Sequence, residues 1–90
     1  KPTVTITSHT NGQTVQKNFT VEASISGTTQ SISEVKFTIS PAVTPPKTDS
    51  SAPFKASFSN IPNGTYIITV QATDSAGNFG ETPITLVVSN

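Results

Sequence analysis

Apolar and polar residues alternate along most of this chain, in short runs separated by residues that favour turns. Val4 and Ile6 interleave with Thr3, Thr5 and Thr7, the period-two signature of a strand with one face in a core. Asn11-Gly12 follows as a turn, because glycine reaches positive φ at little cost and asparagine tolerates it. Phe19, Val21, Ala23 and Ile25 then share one face, opposite Thr20, Glu22 and Ser24, and Gly27 closes the run. Val35, Phe37 and Ile39 repeat the pattern against Glu34, Lys36 and Thr38. Phe54, Ala56 and Phe58 mark another strand, closed by Ile61-Pro62-Asn63-Gly64. The strongest alternation sets Tyr66, Ile68, Val70 and Ala72 against Thr69, Gln71 and Thr73. The turn Asp74-Ser75-Ala76-Gly77-Asn78 leads to a last strand with Ile84, Leu86 and Val88 inward. No window spaces its apolar residues at i, i+3, i+4 and i+7, so no helix is predicted.

The stretch from Ser40 to Pro53 breaks the rhythm with Pro41, Pro45, Pro46 and Pro53. Proline cannot donate to a ladder, so this stretch can hold at most a short edge strand. Prolines there also discourage pairing with another chain. A PxxP-type ligand is the competing reading. The six clear strands and one broken one predict an all-β, Greek-key β-sandwich of about seven antiparallel strands. A small barrel of the OB type is the alternative.

Composition narrows the picture. Ninety residues suit one domain, and with no cysteine the fold must rest on efficient apolar packing. Five lysines balance five acids and arginine is absent, so the basic face needed for nucleic acid or an anionic membrane is missing. No run approaches the ~18 apolar residues of a membrane helix. Serine and threonine supply nearly a third of the residues, a bias that fits a secreted β-protein. No signal peptide is present, and Lys1-Pro2 and Val88-Ser89-Asn90 read as cuts at domain boundaries. The expectation is a single domain over residues 1–90, excised from a larger multidomain protein and monomeric in isolation.

Candidate chemistry is sparse. His9 is the one histidine; Ser8 precedes it, but strand neighbours point to opposite faces, so the pair predicts no triad. Glu22, Glu34, Asp49, Asp74 and Glu81 are scattered, whereas a glycosidase needs two carboxylates about 5 to 9.5 Å apart. Asp74 and Asn78 bracket a loop that could offer oxygens to calcium, which wants six to eight of them. The simpler expectation is that Asp74 accepts backbone bonds in an Asx turn while Gly77 supplies positive φ; no metal or cofactor is expected. Sugar binding favours exposed rings, and only Phe79, placed in the last loop, escapes the inward faces; it could equally cap the open end of the core. Asn18-Phe19-Thr20 and Asn63-Gly64-Thr65 match the glycosylation sequon, matches that a threonine-rich chain produces by chance if its source is bacterial.

Tyr66 stands just after Asn63-Gly64, where sandwiches place a tyrosine whose hydroxyl bonds to backbone upstream. With Pro2-Thr3-Val4-Thr5-Ile6-Thr7-Ser8, Asn11-Gly12, Val35-Lys36-Phe37 and Ser51-Ala52-Pro53-Phe54, the residues from Asn63 to Asp74 and Ala76-Gly77-Asn78 resemble bacterial immunoglobulin-like domains. One departure is Ser40-Pro41-Ala42-Val43-Thr44-Pro45-Pro46, where such domains often carry an Asp-Gly turn. The resemblance implies an immunoglobulin-like sandwich in a bacterial secreted or cell-surface protein, beside glycoside hydrolases, chitinases or adhesins. There it would be a non-catalytic accessory or spacer module whose partners are neighbouring domains. The alternatives are a weak carbohydrate- or cell-wall-binding module and a calcium-stiffened adhesin repeat.

Overall fold

The computed structural model describes residues 2–27, 30–40, 43, 45–50 and 54–89. Its strands are β1 (Thr3–Ile6), β2 (Gln13–Val15), β3 (Phe19–Ser26), β4 (Ile32–Ser40), β5 (Lys47–Asp49), β6 (Phe54–Phe58), β7 (Gly64–Asp74) and β8 (Phe79–Val88). One sheet has the order β1-β3-β6 and the other β2-β8-β7-β4-β5. The chain passes between the sheets from β3 to β4, back from β5 to β6, and over again to β7, the crossings of a Greek-key sandwich.

The expected all-β sandwich is present, with eight strands where about seven were expected because the first is split, and with a parallel pair among the antiparallel ones. β1 pairs antiparallel with β3, while β2 pairs parallel with β8, Gln13 opposite Leu86 and Val15 opposite Val88. Between them the chain changes sheets, and side chains take over the ladder. The Thr7 amide donates to Glu22 O at 2.9 Å, and the Glu22 amide donates to the Ser8 hydroxyl oxygen at 2.8 Å. Gly12 N–H then donates to Thr85 O at 2.7 Å, and Asn11 Oδ1 accepts Thr85 N–H at 2.8 Å, fastening the crossover to β8. These bonds fix the path of the switch, and its residues are mostly exposed, where water can meet the remaining backbone groups.

The inward faces named from alternation form one core. Val21, Val35, Phe37, Ile68, Val70, Ala72 and Leu86 are fully buried, and Phe37 and Phe58 are its largest such side chains. Burying each of those rings stabilises the fold by about 1.5 to 3 kcal/mol. Ile6, Ile25 and Phe54 pack at the margin, half-buried. Val15 and Ile61 also enter the core, though neither lies in an alternating run.

β5 is a three-residue edge strand that, among the described residues, pairs only with β4, in the proline-interrupted stretch. Pro41, Ala42, Thr44 and Ser51-Ala52-Pro53 lie outside the described residues, as do Lys1 and Asn90. Pro83 sits inside β8 opposite Thr69, yet β2 joins that flank of β8 only at Leu86. At Pro83 the strand is still a sheet edge, so its missing N–H leaves no ladder bond unmade. β1 begins beside Ser26, and β8 ends beside Val15 and Gly64, at the opposite pole of a body 41 Å long and 22 by 19 Å across.

Candidate functional site

β7 is the longest strand, and each of its ends is held by a side chain the sequence had singled out, Tyr66 by its place after a turn and Asp74 as a turn residue. At its start, Tyr66 is 4% exposed and its hydroxyl donates to Pro62 O at 2.8 Å, four residues upstream. Gly64 precedes it with φ of 156°, and the tyrosine ring lies 3.5 Å from where a Cβ would be. At the far end Asp74 is 2% exposed, the one buried charged residue among those described. Its Oδ1 accepts Ala76 N–H at 3.0 Å and Asn78 N–H at 2.9 Å. The backbone of Asp74 closes the same turn, accepting from Gly77 at 3.1 Å and donating to Asn78 at 2.9 Å. Gly77 takes φ of 88°, a conformation costly for residues with a Cβ. Asn78 enters this turn through its main chain. These are the bonds of an Asx-type turn, and they engage one of the two carboxylate oxygens.

Ser8 and His9 correct the expectation that they point apart. They lie in the crossover rather than on a strand, and Ser8 Oγ stands 2.7 Å from His9 Nδ1. The His9 ring packs edge-on against Phe19, centroids 6.2 Å apart, and this partial loss of water lowers its pKa below the ordinary histidine value. Ser8 Oγ also accepts the Glu22 amide, and the tautomer of His9 sets which member of the Ser8–His9 pair donates the hydrogen between them. Among the described residues no carboxylate bonds the other ring nitrogen, so the pair lacks the orienting member of a triad.

Glu22 faces Lys55 across β3 and β6, Asp49 accepts the Lys55 amide at 3.1 Å, and Asp74 is enclosed in its turn. Among the described residues no three histidine, aspartate, glutamate or cysteine side chains converge as metal ligands would. Of the two sequons, Asn18 uses its Oδ1 to accept Asn60 N–H at 3.0 Å.

Phe79 belongs to β8, not to a loop, because the turn closes at Asn78 and the ladder starts with Thr73 opposite Phe79. Phe79 is 52% exposed, which favours the exposed-ring alternative over the core cap. Where the free flank of β8 meets β1, Phe79, Gly80, Glu81 and Thr82 line a shallow groove of about 290 Å³ with Pro2, Thr3 and Val4. Thr82 floors it, donating its hydroxyl to Val4 O at 2.8 Å and so joining the two sheets.

Other structural residues had no signal in the alternation. Asn60 holds φ of 56°, the one such non-glycine residue among those described, and its amide is met by Asn18. Ile61 N–H donates to Lys17 O at 3.1 Å beside it, tying the β6–β7 connection to the turn before β3. Asparagine tolerates left-handed backbone, so Ser59-Asn60 could have been read as a turn from residue type alone.

Comparison with known proteins agrees with this architecture. Fibronectin(III)-like modules of Clostridium thermocellum CbhA superpose with a TM-score of 0.82 at 24% identity, over 96% of this chain and 94% of theirs. An engineered protein matches with a TM-score of 0.79 and 22% identity, over the whole chain, which spans 20% of its length. At such identities the likeness is one of fold. No curated protein matches significantly. The family described as bacterial Ig domain matches residues 2–70, from β1 through most of β7. With the sandwich, its split first strand and its tyrosine-pinned connection in place, the chain belongs to the bacterial Ig domain family.

Proposed function

We propose that this chain is a non-catalytic accessory module that spaces its neighbours in a secreted or cell-surface bacterial protein, with polysaccharide-degrading enzymes among its candidate parents. The coarser part rests on the family: domains of this kind are typically non-catalytic and accompany other domains. The finer part is carried by one observation, the axial path of the chain. β1 starts at one pole, β8 ends at the other, and the long axis measures 41 Å. Attachments at the two ends would be held apart by a body whose shape is fixed by a continuous core. Its proposed partners are the adjoining domains; zero net charge argues against nucleic acid or an anionic membrane surface. No cation is needed for the role, and the isolated module would be a monomer.

The test is a fusion of the chain between two compact reporter domains joined directly at its ends. Small-angle scattering should show two bodies separated along the long axis, with little change between low and high salt. A collapsed particle, or a separation that varies as a flexible linker's would, overturns the spacer reading.

A further inference from the structure

Two ladders place the outward residues of β8, β7 and β4 in rows across the five-stranded sheet. Phe79 lies opposite Thr73 and Thr73 opposite Glu34; Glu81 lies opposite Gln71 and Gln71 opposite Lys36. Strands stand about 4.8 Å apart and same-face residues nearly 7 Å apart along a strand, so the six side chains form a grid about 10 Å wide. Phe79, Glu34, Glu81 and Lys36 are exposed, and Gln71 and Thr73 half-exposed. Phe79 and Glu81 also line the groove against Pro2 and Thr3, which extends the grid past the edge of β8.

We propose that this grid is a binding face for a neutral, hydroxyl-rich polysaccharide lying across the strands. The aromatic ring supplies the apolar face on which the C–H side of a sugar ring can stack, and its neighbours supply the polar contacts. Glu81 and Glu34 accept hydrogen bonds, Lys36 donates them, and Gln71 and Thr73 do both, the mixture that hydroxyl groups can satisfy in either sense. Among the described residues the side chains of Lys36, Gln71 and Glu81 engage no protein partner, so none must be broken from one before meeting a ligand. The three charges sum to −1 over the grid (two glutamates and one lysine), which disfavours an acidic polymer. An open, exposed face suits an extended chain better than a small enclosed molecule, and β2 joins β8 only at Leu86–Val88, which leaves the Phe79–Pro83 end of the rows unpaired on that flank. The family match covers residues 2–70, so Gln71, Phe79 and Glu81 lie beyond it. The inference goes beyond the spacer reading and stands or falls without it.

The experiment is retention of the isolated chain on insoluble cellulose, chitin and xylan, with polygalacturonate as the acidic control. Retention on at least one neutral polymer, little on the acidic one, and a loss of roughly tenfold in affinity (~1.4 kcal/mol) on Phe79→Ala is expected. Gln71→Ala should weaken binding by a smaller factor, while Lys55→Ala, on the outer face of the other sheet, should leave it unchanged. Phe79 is half-exposed, so its loss should not unfold the chain, which a melting curve of each variant verifies. Failure to bind all three neutral polymers, equal binding to the acidic one, or retention indifferent to Phe79→Ala overturns the proposal.

Discussion

The two ends of β7 solve the same problem with different chemistry. A long central strand must hand its chain to a connection at each end without stranding buried backbone groups. At the start the solution is an aromatic side chain, Tyr66, whose ring is buried and whose hydroxyl makes one neutral bond to Pro62 O. At the far end it is a small charged side chain, Asp74, which gathers two amide protons on one oxygen. The first end rests mainly on apolar area, with the hydrogen bond as a locating pin. The second has almost no apolar area to bury and rests on bonds to charge, each roughly twice as strong as a neutral one. The difference teaches where the fold is sensitive. Loss of a single polar atom should matter more at the Asp74 end.

Asp74→Ala is therefore expected to be the most damaging of these changes. It leaves the amides of Ala76 and Asn78 without their acceptor, and bonds to charged groups contribute about 1.5 to 3 kcal/mol each. Chemical denaturation should show a loss of roughly 3 kcal/mol, large against the stability of a small domain. A loss under ~1 kcal/mol would mean that the carboxylate is incidental to the turn.

Gly77→Ala probes the same end through backbone alone. Nothing lies within 4 Å of the added Cβ, so only the left-handed φ of 88° opposes it. A cost of about 1 to 2 kcal/mol is expected, and an unchanged denaturation midpoint would show that the turn relaxes freely.

Tyr66→Phe keeps the ring and removes the pin. The expected loss is about 0.5 to 1.5 kcal/mol. Tyr66 and Asp74 lie about 26 Å apart along the strand. At that distance Asp74→Ala and Tyr66→Phe should add in the double variant to within ~0.5 kcal/mol. A larger coupling energy would contradict the picture of two independent fastenings.

The smallest expected effect is none. Millimolar calcium should leave the melting temperature of the isolated chain unchanged, because Asp74 Oδ1 is already shared by two amides. A ligand that bound only the folded state would raise it. A rise that disappears in Asp74→Asn would turn the aspartate end of β7 into a cation site.

Both fastenings were legible in the sequence, because each acts locally. Tyr66 lies four residues from its acceptor, and Asp74 two and four residues from its donors. Local bonds of this kind follow from residue type and spacing. The crossover was not legible. Its Asn11 and Ser8 side chains serve backbone groups at Thr85 and Glu22, far away in the chain, and Gln13-Thr14-Val15 is too short a run to announce a strand. The contact of Ser8 with His9 escaped for the same reason, since strand geometry was assumed where the chain leaves its sheet.

For this protein, then, the order of apolar and polar residues determined the strands, their inward faces and the turns that join them. Period two decides which face a residue joins because successive side chains point to opposite sides of a strand. It says nothing about which strand lies alongside. That choice depends on burying both inner faces at once and on pairing every edge that can be paired, and it belongs to the whole molecule. Only the folded structure split the first strand between two sheets, placed β2 parallel to β8, and set Phe79 and Glu81 in register with Thr73, Gln71, Glu34 and Lys36.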